Sequence, residues 1–356
     1  MEEIGFYPYR FKSIFKEKVW GGRALATILD KRLPPNVPVG ESWEISDRDA
    51  DMSIVAEGPH ASKSLRALID ADRPAMLGSQ VARAFTDRFP LLVKYIDAEE
   101  ILSLQVHPDD NYAMENENGS WGKMEAWYII HATPGAYIYR GTKPGTDRNT
   151  FMRLLEKQRL HECLNKTHVA EGDVVSIPPG CLHATGAGIL FCEIQQNSDL
   201  TYRVYDWGRV GLDAKPRDLH VEKALDVIDW DLLAREERGE SVSIPLDGGP
   251  PPGTKVQRSA PVIDAPSGLL MECPKFAIER VMLEAGGRDS ARVDQRFHII
   301  NVIDGNGSIV CPEAELPPTM LRKGDTYLIP SAIGSYEIIT DGTITALRSY
   351  VPLPTD

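Results

Sequence analysis

Residues 103–110, with the sequence S-L-Q-V-H-P-D-D, combine an amide, an imidazole and two carboxylates directly after an apolar run. Gln105 and His107 are two positions apart, and side chains at that spacing in a strand project from the same face. Pro108 then prevents the strand from continuing, because proline lacks a backbone donor. The stretch is therefore predicted to supply half of a metal site, and the two aspartates that follow either orient the ligands or cap the next segment.

Two later stretches carry the remaining candidates. Glu125 shares a strand face with Lys123 in the run 122–130, and His183 follows a Pro-Pro-Gly turn at 178–180. Zinc binds histidine nitrogens and carboxylate oxygens, and a catalytic zinc keeps one coordination position open. The candidate metal ligands are therefore Gln105, His107, Glu125 and His183. The other six histidines are interpreted as structural residues.

Short elements are predicted to position these side chains. Residues 90–98 are apolar, begin with a proline and are too few for a helix, which indicates a buried strand. Residues 101–106 are predicted to form its hairpin partner, and the polar residues 111–122 a loop. Apolar residues at helical spacing predict helices at 62–88, 147–165 and 217–236.

The motif G-D-x-x-x-I-P occurs twice, at residues 172–178 and 324–330. It resembles the second conserved block of the cupin barrel, and two such barrels would account for both halves of the chain. Five positions after the I-P proline stands His183 in the first copy but Ser335 in the second, so the second barrel is expected to lack metal ligands. The predicted fold is mainly β, with two cupin-type barrels (jelly rolls) and a few helices inserted in and after the N-terminal barrel.

The run G-G-P-P-P-G that begins at residue 248 is the clearest break in the chain, because it can continue neither a helix nor a sheet interior. Residues 1–247 are predicted to form a metal-binding catalytic domain with helical insertions, and residues 248–255 a linker. Residues 256–356 are predicted to form a cupin-like domain without metal ligands.

Composition limits the classes of protein that fit. The formal net charge of −13 over 356 residues argues against a general nucleic-acid binder, which needs a basic surface. Five dispersed cysteines without a C-x-x-C pair suit a reducing compartment. The N-terminus lacks the pattern of a signal peptide, and no apolar run approaches the roughly 18 residues of a membrane span. We expect a cytoplasmic protein, a monomer or homodimer, without nucleic-acid or membrane partners.

Four blocks in order resemble the type I mannose-6-phosphate isomerases in their short bacterial form. They are L-S-L-Q-V-H-P-D-D at 102–110, G-K-M-E-A-W-Y at 122–128, P-P-G-C-L-H-A at 178–184 and E-I-Q-Q-N-S-D-L-T-Y-R at 193–203. The resemblance implies reversible conversion of mannose 6-phosphate to fructose 6-phosphate through a cis-enediol. It also implies one zinc ion per chain, held by the four candidate ligands.

The same resemblance implies roles for residues around the metal. Arg203 matches an arginine that lines the family's active site, and Ser103 matches a serine associated with the substrate phosphate. Arg209 stands six positions after Arg203, where the family usually has a lysine, and the exchange keeps the charge but changes the hydrogen-bond geometry.

The identity of the catalytic base, which moves a proton between C2 and C1 of the sugar, is left open. Glu193 is preferred, because it precedes Arg203 by ten residues as a carboxylate does in the family, although it could instead orient that arginine. Lys123 and Lys94 are the rival bases, and Lys94 is also a candidate for binding substrate. Trp20 is a candidate for lining the sugar site, with packing in the core as the alternative reading.

Two other functions remain open at this point. One is a different metal-dependent cupin enzyme, such as an oxygenase or another sugar-phosphate isomerase. An oxygenase would need iron and would have no use for Arg203 and Arg209 beside a phosphate. The other is a non-catalytic sugar-binding cupin, which would not need Glu193 and Arg203 beside an intact ligand set.

Overall fold

The structure is a computed structural model that describes residues 5–239 and 268–353. The predicted linker at 248–255 lies outside the described residues. The helices are α1 (Ala24–Thr27), α2 (Leu65–Ala71), α3 (Arg73–Leu77), α4 (Ser79–Ala84), α5 (Asp110–Asn116), α6 (Arg148–Glu156), α7 (Val221–Val227) and α8 (Leu232–Glu237). Within the described parts of the chain, no helix is both long and apolar enough to cross a membrane.

Twenty strands are present in the described residues. They are β1 (Tyr9–Arg10), β2 (Ile14–Gly22), β3 (Val39–Ile45), β4 (Leu91–Ala98), β5 (Leu104–Val106), β6 (Glu125–Ala132), β7 (Tyr137–Thr142), β8 (Leu164–His168), β9 (Val174–Ile177), β10 (His183–Thr185), β11 (Ile189–Gln196), β12 (Tyr202–Tyr205), β13 (Gly268–Glu272), β14 (Ala277–Leu283), β15 (Arg288–Arg292), β16 (His298–Val310), β17 (Thr319–Arg322), β18 (Thr326–Ile329), β19 (Ser335–Ile339) and β20 (Ile344–Tyr350).

These strands form three sheets. A six-stranded sheet has the order β2-β3-β4-β11-β6-β9, and a five-stranded sheet has the order β12-β5-β10-β7-β8. The third sheet contains the C-terminal strands together with β1. The prediction of a mainly β fold is therefore confirmed. The finer prediction of two cupin-type barrels is not, because the pairings among the described residues leave each sheet open.

The central strands of the six-stranded sheet are buried on both faces, and their alternation separates two environments. On one face, Ile96, Trp127 and Phe191 belong to an apolar cluster that also contains Ile138 of the five-stranded sheet. The two sheets therefore pack against each other through this face. The opposite face contributes to a larger cluster that includes Tyr95, Tyr128, Ile194, Ile278, Ile299 and Leu347.

The N-terminal and C-terminal halves of the chain share a sheet and an apolar core. Tyr9 of β1 pairs with Leu328 of β18, so an N-terminal strand extends the C-terminal sheet. Both residues also lie in the larger cluster. On the far side of the five-stranded sheet, a third apolar cluster joins Leu104 and Val106 to Phe151 of α6 and Leu225 of α7.

Three local predictions differ from the structure. Residues 101–106 do not pair with β4, because β5 instead lies between β10 and β12 in the other sheet. The predicted loop at 111–122 contains α5, whose first turn is capped by the Asp109 carboxylate accepting from Tyr112 N at 2.8 Å. The predicted helix at 147–165 ends early, and β8 follows it.

All five cysteines are described, buried and free of disulfides, as expected for small apolar side chains.

Candidate active site

Three side chains on or directly after different strands meet between the two packed sheets. His107 follows β5, Glu125 begins β6 and His183 begins β10. The Nε2 atom of His107 lies 3.4 Å from one oxygen of Glu125, and the Nε2 atom of His183 lies 3.4 Å from the other. The potential ligand atoms of all three lie within 4.8 Å of one another. The spacing allows one cation to contact all three.

Backbone contacts orient both imidazoles toward this point. The Nδ1 atom of His107 lies 2.7 Å from the carbonyl oxygen of Leu200, and that of His183 lies 2.9 Å from that of Cys181. An Nδ1–H that donates to a carbonyl leaves the Nε2 lone pair free to bind a metal. Both Nε2 atoms and the Oε1 atom of Glu125 are buried without a hydrogen-bond partner among the described residues, and Glu125 Oε2 is paired with Lys123 Nζ at 2.9 Å. Buried polar atoms without partners are costly, so these donors fit a metal ion.

Gln105 is half-buried on the same face. It pairs with His183 on one side and with Arg203 on the other. Directly paired residues of adjacent strands project to the same side of a sheet. The amide of Gln105 therefore faces the space between the two sheets, beside His183.

Charges around Glu125 shift its titration. Burial alone would raise the pKa of this carboxyl, but the Lys123 ammonium at 2.9 Å holds the pKa well below its usual range. Burial lowers the pKa of His183 to about 3, and burial together with Lys123 lowers that of His107. Both imidazoles are therefore neutral near pH 7, which is the form that binds a metal.

A second pair of charges lies on the neighbouring strands. Glu193 of β11 pairs in register with Lys94 of β4, and the Lys94 Nζ atom lies 3.2 Å from Glu193 Oε2 and 3.8 Å from Asp199 Oδ1. Burial and the nearby charge of Glu125 raise the pKa of Glu193. The pKa of Lys123 is also raised above its usual range, because the charges of Glu125 and Glu193 outweigh the lowering effect of burial.

Three arginines lie on β12 or follow it, and β12 pairs with β5 so that Arg203 is in register with Gln105. The Arg203 Nε donates to Ser103 Oγ at 3.3 Å, and its Nη1 donates to the carbonyl oxygen of Asp218 at 2.9 Å. Asp206 accepts from Arg209 at 2.8 Å and from Arg217 at 2.5 Å. Burial, followed by the charge of Arg217, lowers the pKa of Arg203. Arg209 is paired with Asp206 and, at 4.0 Å, with Glu100, whereas the contacts of Arg203 are with neutral oxygens, so the charge of Arg203 is the one that suits an anion.

Trp20, the candidate for lining the sugar site, lies in an apolar environment. Its side chain is 4% exposed and packs in the apolar cluster between the sheets, and its backbone oxygen accepts from Glu100 N. The aromatic that touches the candidate metal ligands is Trp127, whose ring centroid lies 5.5 Å from that of His183. The substrate-binding role of Trp20 stays a prediction.

Several polar residues near the site were not among the sequence candidates. Glu41 is held at a pKa of about 2, because the charges of Lys18 and Lys94 outweigh its burial. Gln195 pairs in register with Glu125, and its buried Oε1 has no hydrogen-bond partner among the described residues. The i, i+2 alternation from Glu193 indicates the face of Gln195, but nothing local to Glu41 indicates its contact with β4.

Comparison with known proteins places the chain in a family. Residues 9–138 match the family model for the catalytic domain of type I phosphomannose isomerase. The chain is 34% identical over 331 residues to the mannose-6-phosphate isomerase ManA of Bacillus subtilis, covering 93% of this chain and 95% of that protein. It is 30% identical over 345 residues to the mannose-6-phosphate isomerase of Streptococcus mutans, covering 96% and 98%.

The fold agrees with the sequence relationship. The crystal structure of the mannose 6-phosphate isomerase from Bacillus subtilis superimposes with a TM-score of 0.78 at 31% identity, covering 97% of this chain and 99% of that one. The family resemblance noted from the four sequence blocks is thereby confirmed, and with it the expectation of an enzyme of the isomerase class. The chain belongs to the type I phosphomannose isomerases.

Proposed function

We propose that this protein is a zinc-dependent aldose–ketose isomerase that interconverts mannose 6-phosphate and fructose 6-phosphate through a cis-enediol. The observation that carries the proposal is the convergence of His107, Glu125 and His183, whose potential ligand atoms lie within 4.8 Å of one another, with Glu193 close enough for its charge to interact with that of Glu125. The mannose-6-phosphate isomerases to which the chain is similar support this choice of substrate.

The donor set fits one zinc ion. Two neutral imidazoles and one ionised carboxylate are ligands that zinc prefers, and the half-buried amide of Gln105 lies on the same face of its sheet as His183. Zinc bound there would act as a Lewis acid on the sugar oxygens. Lys123 keeps Glu125 ionised and so keeps its oxygens available as donors.

Glu193 is the preferred base for moving the proton between C2 and C1. A general base works best when its pKa lies near the operating pH, and the pKa of Glu193 is raised by burial and by Glu125. Lys123 fits the role less well, because its raised pKa keeps it protonated. Lys94 contacts Glu193 directly, so it is placed to hold the carboxylate and to donate to a sugar oxygen.

The arginine group is proposed to hold the phosphate. Arg203 presents a guanidinium beside the hydroxyl of Ser103, and planar guanidinium groups bind phosphate oxygens in pairs. Arg209 is tied to Asp206 and to the carbonyl oxygen of Ile101, so it contributes charge from a fixed position.

The remaining expectations from the sequence belong to the same proposal. They are a catalytic domain at 1–247, a cupin-like domain at 256–356, a cytoplasmic location and a monomeric or homodimeric state. The inferred sugar phosphate is the only partner that the proposal requires.

One assay on one preparation tests the proposed function. Conversion of mannose 6-phosphate is coupled through fructose 6-phosphate to a spectrophotometric readout, and the bound metal is quantified in the same sample. We expect isomerase activity that scales with zinc content. Iron in place of zinc without isomerase activity would favour another metal-dependent cupin enzyme, and binding without turnover would favour a sugar-binding protein.

A further inference from the structure

The C-terminal half of the chain contacts a segment of the candidate site through one lysine. Lys275 lies in the turn between β13 and β14, where Cys273 N donates to the carbonyl oxygen of Phe276. Its Nζ donates to Asp110 Oδ2 at 2.6 Å. The two side chains are 14% and 28% exposed, so water screens the ion pair only in part.

The other oxygen of Asp110 joins two further segments. Asp110 Oδ1 accepts from Gly122 N at 2.8 Å and from Gln196 Nε2 at 3.0 Å. Gln196 uses its own side-chain oxygen to accept from Met124 N at 2.9 Å. One carboxylate therefore links the start of α5, the segment before β6 and the end of β11.

Each of these three segments carries a candidate site residue. His107 lies three residues before Asp110, Glu125 lies three residues after Gly122, and Glu193 lies in the strand that ends at Gln196. The backbones meet closely, because a Cβ built on Gly122 would lie 2.5 Å from Asp110 N. Small displacements at this junction would therefore change how the two sides of the site face each other.

Lys275 favours the ionised form of Asp110 at this junction. Burial raises the pKa of the Asp110 carboxyl, but the charge of Lys275 outweighs burial and lowers it. A cavity of about 160 Å³ borders the pair and is lined in part by Trp121 and Gln196. The Asp110 side chain would have room to turn into it if the lysine were removed.

We propose that Lys275 is a positioning residue for the metal centre: it holds Asp110, which keeps the segments of His107, Glu125 and Glu193 in their mutual arrangement. The inference rests on the proposed function and deepens it, because it gives the C-terminal half a part in the same site. Lys275 touches none of the candidate ligands itself and acts through Asp110.

Variants of Lys275 test this role against a matched control. Lys275→Met removes the charge but keeps much of the side-chain length, and Lys275→Arg keeps the charge. Lys323→Met is the control, because its Nζ lies 3.0 Å from Asp304 and that ion pair stays within the C-terminal half. The measurements are the zinc dissociation constant by chelator competition, kcat and KM for mannose 6-phosphate, and the melting temperature.

Residues that orient metal ligands contribute about 10- to 100-fold to metal affinity or activity. Lys275 acts one contact further out, so we expect Lys275→Met to weaken zinc binding and lower kcat by about 10-fold, with KM changed less than about 2-fold. Lys275→Arg should keep zinc affinity and kcat near their wild-type values, and Lys323→Met should leave both unchanged. Equal effects of Lys275→Met and Lys323→Met on zinc affinity would overturn the proposal.

A double-mutant cycle distinguishes the proposed role from a general loss of stability in Lys275→Met. If Lys275 acts through Asp110, Lys275→Met should change zinc affinity little further in an Asp110→Asn background. Additive effects would contradict the proposal. Zinc affinity is measured without turnover, so a wild-type protein that binds zinc but does not isomerise mannose 6-phosphate would refute the proposed function and leave this test valid.

Discussion

Replacing Glu193 by glutamine removes the proposed base while keeping the shape of the side chain. The carboxylate is 4% exposed, and its neighbour Lys94 at 3.2 Å stays in place, so the change removes one charge from a packed position. A positioned general base contributes about 10²- to 10⁴-fold to rate. We therefore expect kcat to fall by about 10²-fold or more, equivalent to roughly 2.7 kcal/mol of barrier.

The decisive assay follows the proton rather than the product. Exchange of the C2 hydrogen of mannose 6-phosphate with solvent deuterium should stop in Glu193→Gln, because a glutamine amide cannot accept that proton. Asp199→Asn is the matched control, because it also removes a carboxylate from the surroundings of Lys94, at 3.8 Å. Exchange retained in Glu193→Gln would refute the reasoning and transfer the role to Lys123 or Lys94.

The pH profile gives an independent check on the same residue. A base must be ionised to act, so kcat/KM should fall as pH decreases through the pKa of Glu193. Burial and the charge of Glu125 raise this pKa, so the acid limb should lie above the ordinary value of 4.5. The residual activity of Glu193→Gln should lack this limb.

Three further predictions concern the metal, the anion site and the core. Chelation should abolish isomerase activity and zinc should restore it, and full activity in a verified metal-free sample would contradict a role for zinc. Arg203→Ala should lower kcat/KM by about 10- to 100-fold, the effect of losing charge-assisted hydrogen bonds worth about 1.5–3 kcal/mol, with an unchanged circular dichroism spectrum. Near-normal turnover would exclude Arg203 from the site. Phe151→Ala should cost about 3–5 kcal/mol of unfolding free energy in urea, because Phe151 is fully buried between α6 and the five-stranded sheet, and a loss below about 1 kcal/mol would refute that packing.

The sequence predicts which residues share a face better than it predicts which strands pair. Alternation alone indicates that Glu125 follows Lys123 on one face and that Gln105 precedes His107 on another, because strand side chains have a period of two. The same reasoning gives no partner for a strand. Residues 101–106 follow β4 after a short connection and favour a hairpin, yet β5 joins the other sheet because its Leu104 and Val106 pack against α6 and α7.

Helices form within the predicted ranges 62–88 and 217–236, but the sequence does not predict α5. Residues 110–116 are mostly polar, so composition favours a loop. A capping carboxylate, Asp109, and one buried residue, Ala113, are enough to form α5 at that position. The N-cap preference for aspartate was visible in the sequence, but the helix is too short for a periodic pattern to be recognised.

The crossing of β5 into the second sheet explains why the metal ligands can converge. Had residues 101–106 paired with β4, Gln105 and His107 would lie in the same sheet as Glu125, and that sheet would offer its donors from one side only. Instead the donors approach from two facing sheets, with the imidazoles on one and the carboxylate on the other. The distance between the sheets is set by Trp127, Phe191 and their apolar neighbours. A substitution that thins this cluster, such as Phe191→Ala, should therefore weaken zinc binding as well as stability, although Phe191 is not a candidate ligand.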